Sequence, residues 1–368
     1  MKRTPLYETH HTLGAKFAEM HEGWELVAHF TDAREEHHAV RKGVGILDLS
    51  HRGRFSLTGE DRAKYLHRII SNDAEQLEVG QGNYATILTN RGKIIADMHV
   101  YVSEGQIHIE TNAETTERLY KELDKYLIAD DVTIEDLTDK SGSIGVHGPT
   151  SALLLEKAFA LDVHELGENH VVWHKVGDRR FACTRSNETG EVGYNLHAKA
   201  SLTEWVWDTL MKNGRDFDAK PVGLTALNSL RIEAGIPRYG SELGESIIPL
   251  EAELEHTIDF TKGCYIGQEI VARMKYRGHP NRLLRGFEID HETPPEQGAR
   301  IFNGEKEIGW MTSALSSPTL GKTIALGYVR IAFTDEGSKV EVETADGRVN
   351  ATVKLLPFTN AMGNGANQ

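Results

Sequence analysis

Two stretches of this chain carry residues arranged for chemistry. The first is Ile94-Ile95-Ala96-Asp97-Met98-His99-Val100-Tyr101. Side chains alternate faces along a strand, so Asp97, His99 and Tyr101 share one face and Ile94, Ala96 and Met98 the other. An acid inside an otherwise apolar strand is costly unless it is paired or hydrogen-bonded. Such a carboxylate could orient or activate an amine; a solvated edge position would accommodate it equally well. The second stretch is Asp259-Phe260-Thr261-Lys262-Gly263-Cys264-Tyr265-Ile266-Gly267-Gln268-Glu269. Gly263 and Gly267 flank the Cys264 thiol, Lys262 precedes it and Arg273 follows. Nearby cations favour the thiolate, the nucleophilic form. Without such use, a free cysteine is usually a small buried hydrophobe.

Other patterns are weaker. Gly80-Gln81-Gly82-Asn83-Tyr84-Ala85 fits GxGxxA, but a dinucleotide fingerprint follows a strand and opens a helix. Here it follows the polar Glu75-Gln76-Leu77-Glu78 and leads into a strand, so it reads as a turn. Among 18 histidines, the pairs His10-His11 and His37-His38 lack the i, i+4 spacing that sets two ligands on one helix face. No metal site is expected.

The elements that must hold these residues alternate in character. Asn83–Leu88 and Ile94–Tyr101 read as strands joined through Thr89-Asn90-Arg91-Gly92, with Gln106–Glu110 as a third. Helices are expected over Arg62–Ile70 and Glu114–Leu127, the latter capped by Asn112. Pro149 opens a helix over Thr150–Ala160, Ser201-Leu202-Thr203-Glu204 reads as a capping box before Trp205–Lys212, and Gly223–Ala234 makes another helix. Beyond residue 280 six strand candidates follow one another: Arg285–Ile289, Ala299–Phe302, Glu307–Ala314, Ile324–Arg330, Lys339–Thr344 and Val349–Leu356. Asn303-Gly304 and Ala345-Asp346-Gly347 supply turns, and a small β-barrel is the natural reading. The expected division is an α+β part over 1–140, a second α+β part over 141–280 and a barrel over 281–368, with Ala361–Gln368 a loose tail.

Length and composition agree with this plan. A chain of 368 residues exceeds what one core usually supports. With 39% hydrophobic and 26% charged residues it is an ordinary globular composition. No apolar run approaches the length of a membrane span, and no secretory signal is visible. A formal charge of −14 gives no general attraction to nucleic acid or anionic lipid, although a local basic pocket could hold an anion. Two cysteines exclude a disulfide framework and a CxxC metal signature, so a reduced, cytoplasmic setting is expected.

Across nearly its whole length the chain resembles the glycine cleavage T-protein superfamily. The similar segments are Thr4–His10, Gly43–His51 (GVGILDLSH), Ile70–Asp73, Gly148-Pro149, Ile308–Leu320 (IGWMTSALSSPTL) and Ala325–Val329. The resemblance implies a three-domain α+β cloverleaf with a C-terminal antiparallel β-barrel and tetrahydrofolate, or a derivative, in a central channel. It implies a catalytic aspartate at Asp97, with Tyr84 and Tyr101 beside it. The family's GYTGEDGFE stretch falls on Asn187–Asn195 (NETGEVGYN), so Glu188 stands at its tyrosine and Asn195 at the glutamate that would hold the pterin. A folate-binding arginine falls on Leu227, while Arg231 of the same helix is kept. Restoring Asn195→Glu with Leu227→Arg is expected to tighten tetrahydrofolate binding.

Within the superfamily, Lys262–Glu269 (KGCYIGQE) is similar to the signature of the YgfZ branch, whose members bind folate and support iron–sulfur cluster assembly or maintenance. The motif residues Lys262, Gly263, Cys264, Tyr265, Gly267, Gln268, Glu269 and Arg273 are therefore expected to shape a functional thiol loop. Two functions follow. The preferred one is a tetrahydrofolate-binding protein with Cys264 as its working thiol and iron–sulfur proteins as clients. The alternative is an aminomethyltransferase, or a related folate-dependent one-carbon transferase or demethylase, that uses Asp97 and a lipoyl carrier protein.

Overall fold

The structure, a computed structural model, describes residues 1–20 and 23–359. The tail expected at Ala361–Gln368 lies outside the described residues.

Three sheet systems organise the chain. The first is a five-stranded antiparallel sheet in the order Gly82–Leu88, Ile94–Ser103, Gln106–Thr111, Gly53–Thr58, Thr133–Asp136. The strand of Asp97 is thus internal, which removes the edge-position reading. One face packs on the helices Arg62–His67 and Thr116–Lys125 through Phe55, Leu66, Met98, Val100, Leu119 and Leu123. The second sheet has six strands in the order Val171–Val176, Arg179–Ser186, Gly193–Lys199, Ser141–His147, Gly45–Asp48, Lys220–Val222. Gly45–Asp48 pairs with His147–Ile144, so this sheet crosses the expected division at residue 140. The third is a closed barrel in the order Arg282–Ile289, Thr323–Arg330, Lys306–Ser316, Arg300–Asn303, Lys339–Thr344, Gly347–Lys354. Its six strands fall on the six expected ones, with only the short 3-10 turn Ile331–Phe333 interrupting them.

Several local expectations shift for identifiable reasons. The helix expected from Glu114 begins as a 3-10 turn, Ala113–Thr115, and becomes α-helical over Thr116–Lys125. Asn112 makes no side-chain cap there, because its amide is turned to Asp97. The capping box at Ser201–Glu204 does not form: the helix already runs from Ala200 to Asn213, and Thr203 donates back to the carbonyl of Lys199. The Gly80–Ala85 segment is a turn entering a strand. Gly82 is required there, since a Cβ would lie 2.2 Å from the carbonyl oxygen of Val100. The amino-terminal helices Tyr7–Thr12 and Ala33–Lys42 and the hairpin Lys16–Met20 with Trp24–His29 had no sequence forecast.

Glu233, at the end of the helix Leu224–Glu233, is a buried junction. It accepts from Arg41 (2.9 Å), from Ser317 (2.5 Å) and Thr319 (2.7 Å) beside the barrel, and lies 3.2 Å from His37. Burial alone would raise its pKa; the bonds from His37, Ser317 and Thr319 hold it well below the carboxylate range. One carboxylate therefore ties helix Ala33–Lys42, helix Leu224–Glu233 and the barrel together.

Candidate active site

A cavity of about 440 Å³ lies between the first sheet, the second sheet, the helix Leu224–Glu233 and the start of the barrel, within the size range of small-molecule sites. Asp97 is in its wall and only 6% exposed. Tyr84, on the neighbouring strand, donates its hydroxyl to Asp97 Oδ2 at 2.8 Å. Asn112 Nδ2 donates to the same oxygen at 3.1 Å and less closely to Oδ1 at 3.3 Å. Oδ2 is thus the more heavily bonded oxygen and Oδ1 the less occupied one. Burial pushes the Asp97 pKa above the usual carboxylate value; the bonds from Tyr84 and Asn112 and the nearby His99 oppose that rise. Burial likewise raises Tyr84 well above the ordinary tyrosine value, with the adjacent carboxylate adding to it.

The rings beside Asp97 form a continuous wall. Tyr84 stacks on His99 with centroids 4.6 Å apart, and His99 lies nearly parallel to Tyr101 at 6.2 Å. His256 extends the stack at 6.0 Å from Tyr84. His99 and Tyr101 stand on the strand face predicted to carry Asp97, and all three line the cavity.

A charged cluster forms another part of the lining. Arg52 pairs with Glu188 on two oxygens and with Glu110 at 3.2 Å; Arg54 also reaches Glu110, at 3.1 Å. Asn195 accepts from His147 at 3.0 Å and offers its amide to Glu188 at 3.4 Å. Despite burial, these cations and the nearby histidines hold the Glu110 and Glu188 carboxyls below the ordinary range. Burial depresses His147, and drives His197, 3.4 Å from Glu110, down to about 3. Leu227 and Arg231 also line the cavity. Arg231 is not free, however: it binds Glu242 at 2.6 Å, Ser313 at 2.8 Å and Asn228 at 2.9 Å.

Tyr84, Asp97, Tyr101, Glu188, Asn195 and Arg231 thus converge on one cavity, as expected. Arg52, Glu110, Asn112, His147 and Arg238 were missed. Glu110 had a usable signal, a carboxylate in an apolar strand like Asp97; it sits opposite His99 in the sheet. Asn112, read as a helix cap, had no signal for its real partner.

The Cys264 loop lies outside this lining. Cys264 is exposed, as expected for an accessible thiol, whereas Cys183 is buried. The expected cations are engaged with other groups. Lys262 is buried and donates its ammonium to the carbonyls of His67, Ile70 (2.8 Å) and Asn72 (2.7 Å), and burial brings its pKa down to about 8. Arg273 pairs with Glu269 at 2.6 Å on the exposed helix Gln268–Arg277. Gln268 makes a long bond to the Gly263 carbonyl at 3.4 Å. Tyr265 is buried with Leu88 and Ile94, and Gly267, at φ 85°, fits where a Cβ would lie 2.6 Å from the carbonyl oxygen of Thr89. Tyr265 and Gly267 of the KGCYIGQE segment therefore brace the turn that joins the two strands carrying Tyr84 and Asp97, and Lys262 ties the segment to His67–Asn72.

Residues 6–262 match the GCVT N-terminal domain and residues 282–360 the glycine cleavage T-protein C-terminal barrel domain. The chain is 32% identical over 359 residues to an aminomethyltransferase of Desulforamulus reducens, covering 97% of this chain and 98% of that protein. It is 34% identical over 361 residues to an aminomethyltransferase of Pseudothermotoga lettingae, with the same coverage. The crystal structure of the glycine cleavage system aminomethyltransferase T from Bartonella henselae superposes with a TM-score of 0.90 at 27% identity, covering 98% of each chain. The cavity and its carboxylate are set in a fold shared along the full chain, and the protein belongs to the glycine cleavage T-protein family.

Proposed function

We propose that the protein is a tetrahydrofolate-dependent aminomethyltransferase, with Asp97 as its catalytic residue. The observation that carries this reading is the buried Asp97 carboxylate, fixed by Tyr84 and Asn112 in the wall of a ligand-sized cavity. The relatives named aminomethyltransferase over nearly the whole chain support it. The residues present fit such a ligand: a ring wall of Tyr84, His99 and Tyr101, a carboxylate, and cations in the same lining. Tetrahydrofolate, when bound, supplies the amine nitrogens that receive the one-carbon unit. Asp97 orients that amine and takes its proton as the new carbon–nitrogen bond forms, a task suited to a carboxylate whose pKa is raised by burial. Tyr84 and Asn112 hold Asp97 in place. The donor in this reading is an aminomethyl group on a lipoyl carrier protein: its carbon would leave the lipoyl sulfur and its amino group depart as ammonia as two carbon–nitrogen bonds form to folate, whose two N–H protons pass to the sulfur and the ammonia.

The test is a reconstituted glycine-cleavage assay with lipoyl carrier protein and tetrahydrofolate. The wild type should turn over. Asp97→Asn should lose about 10²-fold or more in kcat, the usual worth of a positioned acid–base group, with little change in melting temperature. No turnover by the wild type would sink the reading.

A second reading, support of iron–sulfur cluster assembly, has one observation in its favour: the exposed Cys264 thiol. It is the weaker one, because Lys262, Tyr265 and Gly267 have structural work that explains their presence. Complementation of iron–sulfur enzyme activity by Cys264→Ser would remove it.

A further inference from the structure

Arg238 stands in the cavity wall with no partner for its guanidinium among the described residues. It follows the turn Gly235-Ile236-Pro237, and its backbone N–H donates to Glu242 Oε2 at 3.0 Å. Its guanidinium makes no hydrogen bond or ion pair with any described residue, and its Nε is buried unsatisfied. The neighbouring carboxylate cannot serve it. Glu242 Oε2 already accepts from Arg231 at 2.6 Å, and Oε1 accepts from Thr312 at 2.8 Å and Ser313 at 2.6 Å. Arg231 is close enough for the two positive charges to oppose one another. A partly buried cation beside a second cation costs stability unless something else compensates it. In the same lining, position 227, where the resemblance implies a folate-binding arginine, is leucine.

We propose that Arg238 binds an anionic group of the cavity's ligand, a carboxylate of the folate glutamate tail, and so supplies the cation that position 227 lacks. The proposal rests on the tetrahydrofolate reading above. A guanidinium presents paired N–H donors that match the two oxygens of a carboxylate, and ligand binding would satisfy the donors now left unpaired. The charge arrangement is then a binding device that the ligand-free protein tolerates at some loss of stability.

The experiment compares wild type, Arg238→Ala and Arg238→Lys by calorimetric titration with tetrahydrofolate and with 6-methyltetrahydropterin, which has the head but no tail. Arg238→Ala should weaken tetrahydrofolate binding about tenfold or more. Arg238→Lys should fall between, keeping the charge but losing the fork. All three proteins should bind the tail-less pterin alike. The ligand-free Arg238→Ala protein should melt at or above the wild-type temperature, since repulsion with Arg231 is relieved. The proposal is overturned if Arg238→Ala binds tetrahydrofolate as tightly as wild type, loses both ligands equally, or melts lower without ligand. A wild type that binds neither ligand overturns the folate reading itself, a distinct failure.

Discussion

Two parts of the cavity lining are built by different means. Tyr84, Asp97, Tyr101 and Asn112 come from one run of antiparallel strands and the turn after it, within residues 82–112. Arg52, Glu188, Asn195, Leu227, Arg231 and Arg238 come from segments brought together only by packing of the second sheet, the helix Leu224–Glu233 and the loop after it. In the first part Tyr84, Asp97 and Tyr101 are the residues the family resemblance implies. The second keeps Arg231 but differs elsewhere: a carboxylate stands at Glu188 while position 195 is an amide, and a cation stands at Arg238 while position 227 is apolar. The difference separates chemistry from recognition. A catalytic carboxylate and its orienting donors must stay within fractions of an ångström, and neighbouring strands provide that through short-range pairing. A binding charge can be supplied from another nearby backbone position if the chain folds it to the same cavity.

The largest effect is expected where the charged cluster is broken. Arg52→Met leaves Glu110 and Glu188 without their shared cation, and should lower stability by about 3–5 kcal/mol in denaturant unfolding. A loss below 1 kcal/mol would mean that this part of the lining is solvated and not locked by charge.

The pH dependence follows from the same cluster. His147 and His197 are depressed in the folded protein, so below about pH 6.5 the unfolded chain binds protons that the native state refuses. Stability is full above that pH and falls as pH drops, by about 1.4 kcal/mol per pH unit for each histidine, for His197 until about pH 3. The depressed Glu110 and Glu188 add a further loss in the same direction below about pH 4.5. Unfolding curves between pH 7 and 5 should show the slope, and His197→Gln should flatten it. A flat wild-type profile would break the assignment.

Restoring the implied glutamate sharpens the comparison further. Asn195→Glu sets a second carboxylate where the Asn195 amide now lies 3.4 Å from Glu188, so it should destabilise by about 1–3 kcal/mol and weaken folate binding. Adding Glu188→Tyr should recover both. The outcome bears on the expectation that Asn195→Glu with Leu227→Arg would tighten binding, since Glu188 now lies beside position 195. Tighter binding by Asn195→Glu alone would show that Glu188 does not share its site.

The smallest effect is at the thiol. Cys264 is exposed, so Cys264→Ser should change the melting temperature little, with stability within about 0.5 kcal/mol. Glycine-cleavage turnover should be unchanged. A marked loss of turnover would bring the thiol loop into the chemistry.

Much of this was readable from local pattern. The alternation around Asp97 placed Asp97, His99 and Tyr101 on one face, and the six barrel strands could be counted from their turns, because both depend on period-two burial and turn residues a few positions apart. The partners of the Lys262–Glu269 segment were not readable for the opposite reason. Its residue types suit a reactive thiol loop, but Lys262 finds carbonyls at His67, Ile70 and Asn72, far away in sequence, and local spacing cannot encode that partner. Asn112 read as a helix cap for the same reason, while its amide was drawn to Asp97.

What the sequence by itself determined is therefore the family, the order of strands and helices, and the strand that carries the buried acid. Those depend on short-range periodicity and on motifs spread along the chain. What only the tertiary structure decided is which charges are occupied and which are open. Among the described residues Arg231, Lys262 and Arg273 are engaged with partners and the Arg238 guanidinium is not, while Asp97 lines the cavity held by Tyr84 and Asn112. A side chain's ionic state depends on every group packed within a few ångströms, and those groups come from all parts of the chain.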